Sequence, residues 1–91
     1  MTSPIPNDPQ VLALAALAAT LADERRAQRF LDLTGIGTDE LRQKADEPAL
    51  LAALVRFLEG HEPDLVAVAA VVGVSPEAPV EARKALEREV E

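Results

Sequence analysis

The segment Pro48–Leu58 (PALLAALVRFL) constrains the fold of this chain more than any other. Its large apolar residues recur at i, i+1, i+4, i+7 and i+8, the spacing of one wide helical face. These residues are Leu50, Leu51, Leu54, Phe57 and Leu58. Ala52, Arg56 and Glu59 fall on the opposite side and are predicted to face solvent. We therefore expect an amphipathic helix at the centre of the fold.

The composition restricts what the core can contain. The chain has 91 residues, 48% of them apolar, and its aromatic residues are Phe30 and Phe57 alone. The core must therefore be built from Leu, Val and Ala, which bury little area each but permit close helix approach. Residues 1–8 are predicted to be a flexible lead-in, and residues 9–91 a single helical domain.

The sequence shows no feature typical of a secreted, disulfide-bonded or membrane-spanning protein. The chain contains no cysteine, so disulfides and thiolate metal sites are excluded. The apolar segment Val11–Ala22 follows MTSPIPND, which lacks the Lys or Arg of a signal peptide. No run approaches the roughly 18 apolar residues of a membrane helix. We expect a cytoplasmic protein without membrane contact.

Cap residues and breaks in periodicity predict a compact all-α bundle of five to six short helices. The expected helices are 9–22, 24–33, 39–45, 46–59 and 64–72, with a last one from about Val80. Thr38 is the expected cap of the third helix. Pro79 should delay the last helix, because it lacks an N–H and crowds the preceding turn. A loose turn is therefore expected over Pro76–Ala78.

A 38-residue offset relates the two halves of the chain. It aligns Gly35 with Gly73, and the first and second helices with the fourth and fifth. Side-chain identities across the offset are few, so the spacing allows a pseudo-repeat of two three-helix units without establishing a duplication. The predicted core residues are Leu14, Leu17, Leu21, Phe30, Leu33, Leu41, Leu50, Leu54, Phe57, Leu65, Ala69 and Leu86.

A family resemblance covers the middle of the chain. The features are the RFL-x-LTG turn that starts at Arg29, the acidic residue and Leu after it, and the D-x-P entry to the Leu/Phe-rich helix ending at Leu58. This segment resembles a family of small uncharacterised alphaproteobacterial proteins, defined only as a domain of unknown function. The resemblance extends weakly over Val11–Leu86. It implies a compact all-α cytoplasmic bacterial protein and assigns no functional residue.

The segment Val68–Glu77 resembles the turn of a helix-turn-helix DNA-binding protein. Pro79 stands where the second helix of that motif needs a hydrophobic residue, and Glu77 and Glu81 would face phosphates. The net charge of −7 also opposes binding to nucleic acid. We therefore expect no nucleic-acid partner and keep this function as an alternative.

Arg25, Arg26 and Arg29 form the only basic cluster. Arg25 and Arg29 share a helix face that could bind a phosphate or an acidic partner. The alternative is a solvated face, balanced by neighbouring acids at little energetic consequence. Those acids are Asp23, Glu24 and Asp32.

Catalytic and metal sites find no support in the sequence. His61, Glu62 and Asp64 could bind a metal weakly, but the two acids are also explained as helix-start residues. The chain has no tyrosine, no phosphate-binding loop and no hydroxyl near a base. We expect no enzyme activity, no metal and no cofactor.

Apolar surface is in excess. The first helix (VLALAALAATLA) and the fifth (DLVAVAAVV) are hydrophobic nearly all round. Either both are ordinary core helices, or one presents an apolar face to a protein partner or a second copy. The candidate partner-binding residues are Arg25, Arg26, Arg29, Val66, Val68 and Val71. The predicted function is a non-enzymatic protein-interaction module; a carrier of a small hydrophobic ligand between helices one and five is a further alternative.

Overall fold

Six helices account for nearly all of residues 8–89, the part of the chain that the computed structural model describes. The predicted lead-in before Asp8 and the end of the chain after Glu89 lie outside it. The helices are α1 (Pro9–Leu21), α2 (Glu24–Thr34), α3 (Thr38–Lys44), α4 (Pro48–Glu59), α5 (Glu62–Val72) and α6 (Glu77–Glu89). The predicted all-α bundle is confirmed.

Most helix ends follow local chemistry. The side chain of Asp8 accepts the N–H groups of the first turn of α1, and Asp23 does the same for α2. Gly35 (φ 71°) and Gly73 (φ 90°) end α2 and α5 in the left-handed conformation that glycine adopts without strain. The prediction that Thr38 caps α3 is wrong, because Thr38 is the first helical residue and Gly37 holds the capping position.

Helix α4 is the centre of the fold, as predicted, and packs against α1, α5 and α6. Its fully buried side chains are Leu51, Leu54, Val55 and Leu58. Ala52, expected to face solvent, is buried instead, so the buried face is rotated relative to the prediction. Leu50 and Phe57 are consequently only half-buried and pack at the edge of the core.

Helix α1 buries a different face from the predicted one. Ala13, Ala16 and Leu17 are inside, whereas Leu14 and Leu21 are 41% and 36% exposed. The small alanine side chains allow α1 to lie close to α4 and α6, and the leucines are turned outward as a result. The prediction that these two leucines belong to the core is therefore wrong. It is also wrong for Leu33 of α2, which is 73% exposed.

The last helix begins earlier than predicted. Helix α6 starts at Glu77, and Pro79 lies buried within its first turn. The first N–H groups of a helix have no intrahelical acceptor, so the missing N–H of Pro79 removes no hydrogen bond there. The expected loose turn over Pro76–Ala78 is thus replaced by helix from Glu77 onward.

The 38-residue offset is visible in the helix boundaries. Adding 38 to the limits of α2 gives the limits of α5, and the same shift carries α1 onto α4 to within a residue at its start. The third helices differ, because α3 ends at Lys44 whereas α6 runs for thirteen residues and packs against both α1 and α4. The two halves therefore share element order but not packing.

Candidate functional site

An apolar groove runs between α1, α2 and α3 and is referred to as the α1–α3 groove. Its volume is about 480 Å³. The lining residues are Leu14, Leu17, Ala18, Leu21, Ala27, Leu31, Thr38, Leu41, Arg42 and Ala45. The groove is thus open to solvent beside the two leucines that α1 turns outward.

The chemistry of the α1–α3 groove is almost entirely apolar. Helix α1 carries no charged residue from Pro9 to Leu21, and among residues 8–89 the only charged lining residue is Arg42. Arg42 lies 3.5 Å from Asp39, and both side chains are highly exposed. Such a groove can accept apolar side chains, but it holds no array of polar groups that would orient a reacting substrate.

A second site is built on Asp64, the third residue of α5. Its side chain is 7% exposed and accepts a hydrogen bond from Arg26 Nε at 2.9 Å. Arg29 donates to the other carboxylate oxygen, and His61 Nδ1 lies 3.1 Å from that same oxygen. Asp64 therefore links α2 to the start of α5.

The pKa of Asp64 reflects these contacts. Burial alone would raise it, but the hydrogen bonds from Arg26 and His61 and the charge of Arg29 outweigh burial. The pKa consequently lies below the usual 3.8, and the carboxyl is ionised at neutral pH. Asp23 also has a lowered pKa, mainly because the backbone N–H of Arg26 donates to it at the start of α2.

Arg29 connects the Asp64 contacts to an aromatic pair. Its guanidinium lies 5.8 Å from the centre of the Phe57 ring, within the range of a cation–π contact. Phe57 in turn packs edge-to-face on Phe30 with 5.4 Å between ring centres. A shallow cleft of about 610 Å³, the Phe57 cleft, opens beside this pair. It is lined by Arg29, Asp32, Leu33, Arg56, Phe57, Gly60, His61 and Asp64.

The remaining sequence signals do not form a site. Helices α5 and α6 meet at 95°, as in a helix-turn-helix, but Glu77 and Glu81 are exposed at the start of α6. Within residues 8–89, no three acidic or histidine side chains are placed to hold a metal ion. No single helix in that range is long and apolar enough to cross a membrane; α5 and α6 together would be, but they are bent at their junction.

Comparison with known proteins places the chain in a family. The family described as "Protein of unknown function (DUF3572)" matches residues 6–89. The chain belongs to this family. The resemblance to a domain of unknown function is thereby confirmed, and both the α1–α3 groove and the Phe57 cleft lie within the matched residues of this DUF3572 protein. No curated protein and no solved structure matches it.

The structure separates the predicted partner-binding residues. Val66 and Val71 are 46% and 73% exposed, but Val68 is 1% exposed and cannot contact a partner. The sequence does not separate Val68 from its exposed neighbours, because an all-apolar helix gives no sign of which side is buried.

The basic cluster is also divided differently from the prediction. Arg26 and Arg29 converge on Asp64, whereas Arg25 is exposed and its backbone N–H donates to Asp23. The sequence does not reveal Asp64 as the partner of Arg26 and Arg29, since a carboxylate in a first turn is usually a capping residue. One signal was present: the 38-residue offset pairs Arg26 with Asp64, which are opposite charges at equivalent positions.

Proposed function

We propose that this DUF3572 protein is a non-enzymatic protein-interaction module whose α1–α3 groove receives an amphipathic helix of a partner protein. One observation supports this function above the others. Helix α1 exposes leucines beside an apolar groove along a side that carries no charge. Leucines at an exposed helix surface without charged neighbours are typical of a surface that becomes covered.

A helix suits the shape of this groove. The lining residues Leu14, Leu17, Ala18 and Leu21 follow one side of α1 at spacings of three and four. A partner helix with apolar residues at the same spacings can place them along such a row. The one charged lining residue, Arg42, would then lie at the edge of the contact, where an acidic residue of the partner can pair with it.

The proposed module has no catalytic activity. The hydroxyls of Thr20 and Thr34 donate to carbonyls of their own helices, those of Ala16 and Phe30, so neither is poised as a nucleophile. We also retain the cytoplasmic location, because a chain without cysteine needs no oxidising compartment. An alphaproteobacterial origin stays a prediction from the resemblance.

The test compares two exposed positions on the same helix. Leu14→Ser removes a groove side chain, whereas Val11→Ser removes an equally exposed side chain outside the groove. Tagged wild-type and variant proteins are used for pull-downs from the native cells. We expect a partner whose recovery is lost with Leu14→Ser and kept with Val11→Ser.

Two results would contradict the proposal. One is a partner recovered equally by both variants, and the other is a protein that captures nothing. Light scattering at micromolar concentration tests whether a second copy of the chain occupies the groove instead of another protein. A dimer that the Leu14→Ser substitution dissociates would identify the second copy as the partner.

Two other functions each have one observation in their favour. The 95° angle between α5 and α6 suits a nucleic-acid-binding module, which would be retained on duplex DNA at low salt and released steeply as salt rises. The apolar lining suits a carrier of small hydrophobic ligands, although the groove lies between α1, α2 and α3 instead of the predicted helices one and five. Such a carrier would gain thermal stability when decanoate is added.

A further inference from the structure

We propose that the Phe57 cleft binds a small organic anion in which a carboxylate is attached to an apolar group. The cleft lies among α2, α4 and the start of α5 and is distinct from the α1–α3 groove. It combines two arginines, Arg29 from α2 and Arg56 from α4, with an apolar floor. Binding of the anion to the Phe57 cleft does not depend on the proposed protein-interaction function.

Arg29 is the fixed donor of the cleft. One N–H of its guanidinium donates to Asp64, and the group lies over the ring of Phe57. A guanidinium has five N–H groups, and those that Asp64 does not use have no protein acceptor among residues 8–89. Since both of its anchors hold the side chain in place, little conformational entropy is lost when a carboxylate binds.

Arg56 supplies the second cationic group, and His61 lines the same cleft. The Nε of Arg56 donates to Glu87 at 2.6 Å, which leaves the two Nη groups of the guanidinium for a ligand; the same hydrogen bond lowers the pKa of Glu87. His61 turns Nδ1 toward Asp64, so its Nε2 is on the other side of the ring. The Arg56 and His61 side chains are 62% and 58% exposed and therefore accessible.

The acids of the cleft are already engaged. Asp64 is shared by the guanidinium groups of Arg26 and Arg29, so one negative charge faces two positive ones. Asp32 accepts a hydrogen bond from the amide of Gln28 at 2.8 Å. The two guanidinium groups offset the charge of Asp64 and so reduce the repulsion that an entering anion meets, whereas the neutral amide of Gln28 leaves the charge of Asp32 in place.

The floor of the cleft gives the ligand its apolar half. Phe57 is half-buried, and Leu33 is 73% exposed with its side chain lining the cleft. A ligand that carries only a carboxylate would leave both surfaces in water, whereas an aromatic or aliphatic acid would cover them. The volume of about 610 Å³ is that of a small-molecule site.

The test uses benzoate as the probe and benzylamine as its cationic counterpart of similar size. Each is titrated into the ¹⁵N-labelled full chain, and amide chemical shifts are followed. We expect saturable benzoate shifts at Arg29, Phe57, Gly60 and His61, with a Kd of about 1–10 mM. Benzylamine should give no saturable shift at these amides. The Leu14→Ser groove variant should bind benzoate like the wild type, which separates this site from the proposed function.

Matched arginine variants complete the test. Arg56→Gln should weaken benzoate binding by about fivefold or more, because a charge-assisted donor is lost. Arg42→Gln removes an exposed arginine with one acidic neighbour elsewhere on the surface and should leave the Kd unchanged. Since Arg56 is exposed, its variant is expected to fold, which circular dichroism verifies. Absence of saturation, equal shifts with benzylamine, or an unchanged Kd in Arg56→Gln would overturn the proposal.

Discussion

Helices α1 and α4 occupy equivalent positions in the two halves of the chain, yet they differ in the side chains that they leave exposed. Both begin with a proline and both are rich in Leu and Ala. In α4 three of the four leucines are inside (Leu51, Leu54 and Leu58), and Arg56 marks the exposed side. In α1 the alanines Ala13 and Ala16 are inside and two leucines are left in solvent.

The difference shows what orients an apolar helix. A charged residue cannot be buried unpaired without a large cost, so Arg56 restricts how α4 can turn. Helix α1 has no charged residue, and only packing decides which face is inside. Close approach to α4 and α6 requires small side chains, and that requirement selects the alanine face. The α1–α3 groove is the consequence.

Truncation of one leucine in each helix should give the largest difference in the free energy of unfolding. Leu54→Ala removes a fully buried side chain of α4 and should lower the free energy of unfolding by about 2–5 kcal/mol. Leu14→Ala removes a half-exposed one from α1 and should cost less than about 1 kcal/mol. Urea unfolding followed by circular dichroism measures both. Equal losses would show that the two leucines are not in different environments.

Replacement of an alanine by a larger residue should give the next largest difference in stability. Ala16→Leu adds volume where α1 is fully buried and should destabilise the protein by about 1–3 kcal/mol. Ala18→Leu adds the same volume on the exposed side of α1, beside the groove, and should be close to neutral. If Ala16→Leu is tolerated as well as Ala18→Leu, the close packing inferred for the alanine face is wrong.

Helices α2 and α5 extend the comparison, because there charged side chains link the two helices. Asp64→Asn weakens the contacts with Arg26 and Arg29 and should cost about 1–2 kcal/mol at neutral pH. Asp32→Asn changes an exposed acid of α2 whose partner is Gln28 and should have little effect. A loss as large for Asp32→Asn as for Asp64→Asn would contradict the role given to Asp64.

The difference in stability between wild type and Asp64→Asn should also depend on pH, and the sign of this dependence is defined. The pKa of Asp64 is lower in the folded state than the usual 3.8, so the folded carboxyl binds a proton less readily than the unfolded one. Its stabilisation is therefore full above the unfolded pKa and is lost as the pH falls through the folded pKa. Wild type should exceed Asp64→Asn in stability at neutral pH, and that advantage should shrink as the pH falls below 3.8. A gap that does not change with pH would argue against an ionised Asp64 as its cause.

Much of the fold could be predicted from the sequence, because local chemistry decides it. Capping by Asp8 and Asp23, the left-handed Gly35 and Gly73, and the amphipathic pattern of α4 all depend on near neighbours in the chain. The prediction of five to six helices and their order follows from these signals.

The candidate sites could not be predicted in the same way. The buried face of α1 depends on how closely α1 packs against α4 and α6. The residues of α1 alone do not indicate this distance. Asp64 looked like a capping residue until α2 brought Arg26 and Arg29 beside it. Exposure of Leu33 likewise depends on which helices cover α2, which periodicity alone does not specify.

The central claim is that α1 turns Leu14 outward and Leu12 inward. The chain has no cysteine, so a single introduced thiol reports on one position without background. Leu12 is 7% exposed and Leu14 is 41% exposed, on the same helix. Reaction of Leu14→Cys and Leu12→Cys with a thiol reagent in native buffer therefore measures the orientation of α1. We expect Leu14→Cys to react at least about tenfold faster, because the thiol at position 12 must wait for local opening. Equal rates, or a faster Leu12→Cys, would contradict the orientation of α1 and with it the α1–α3 groove.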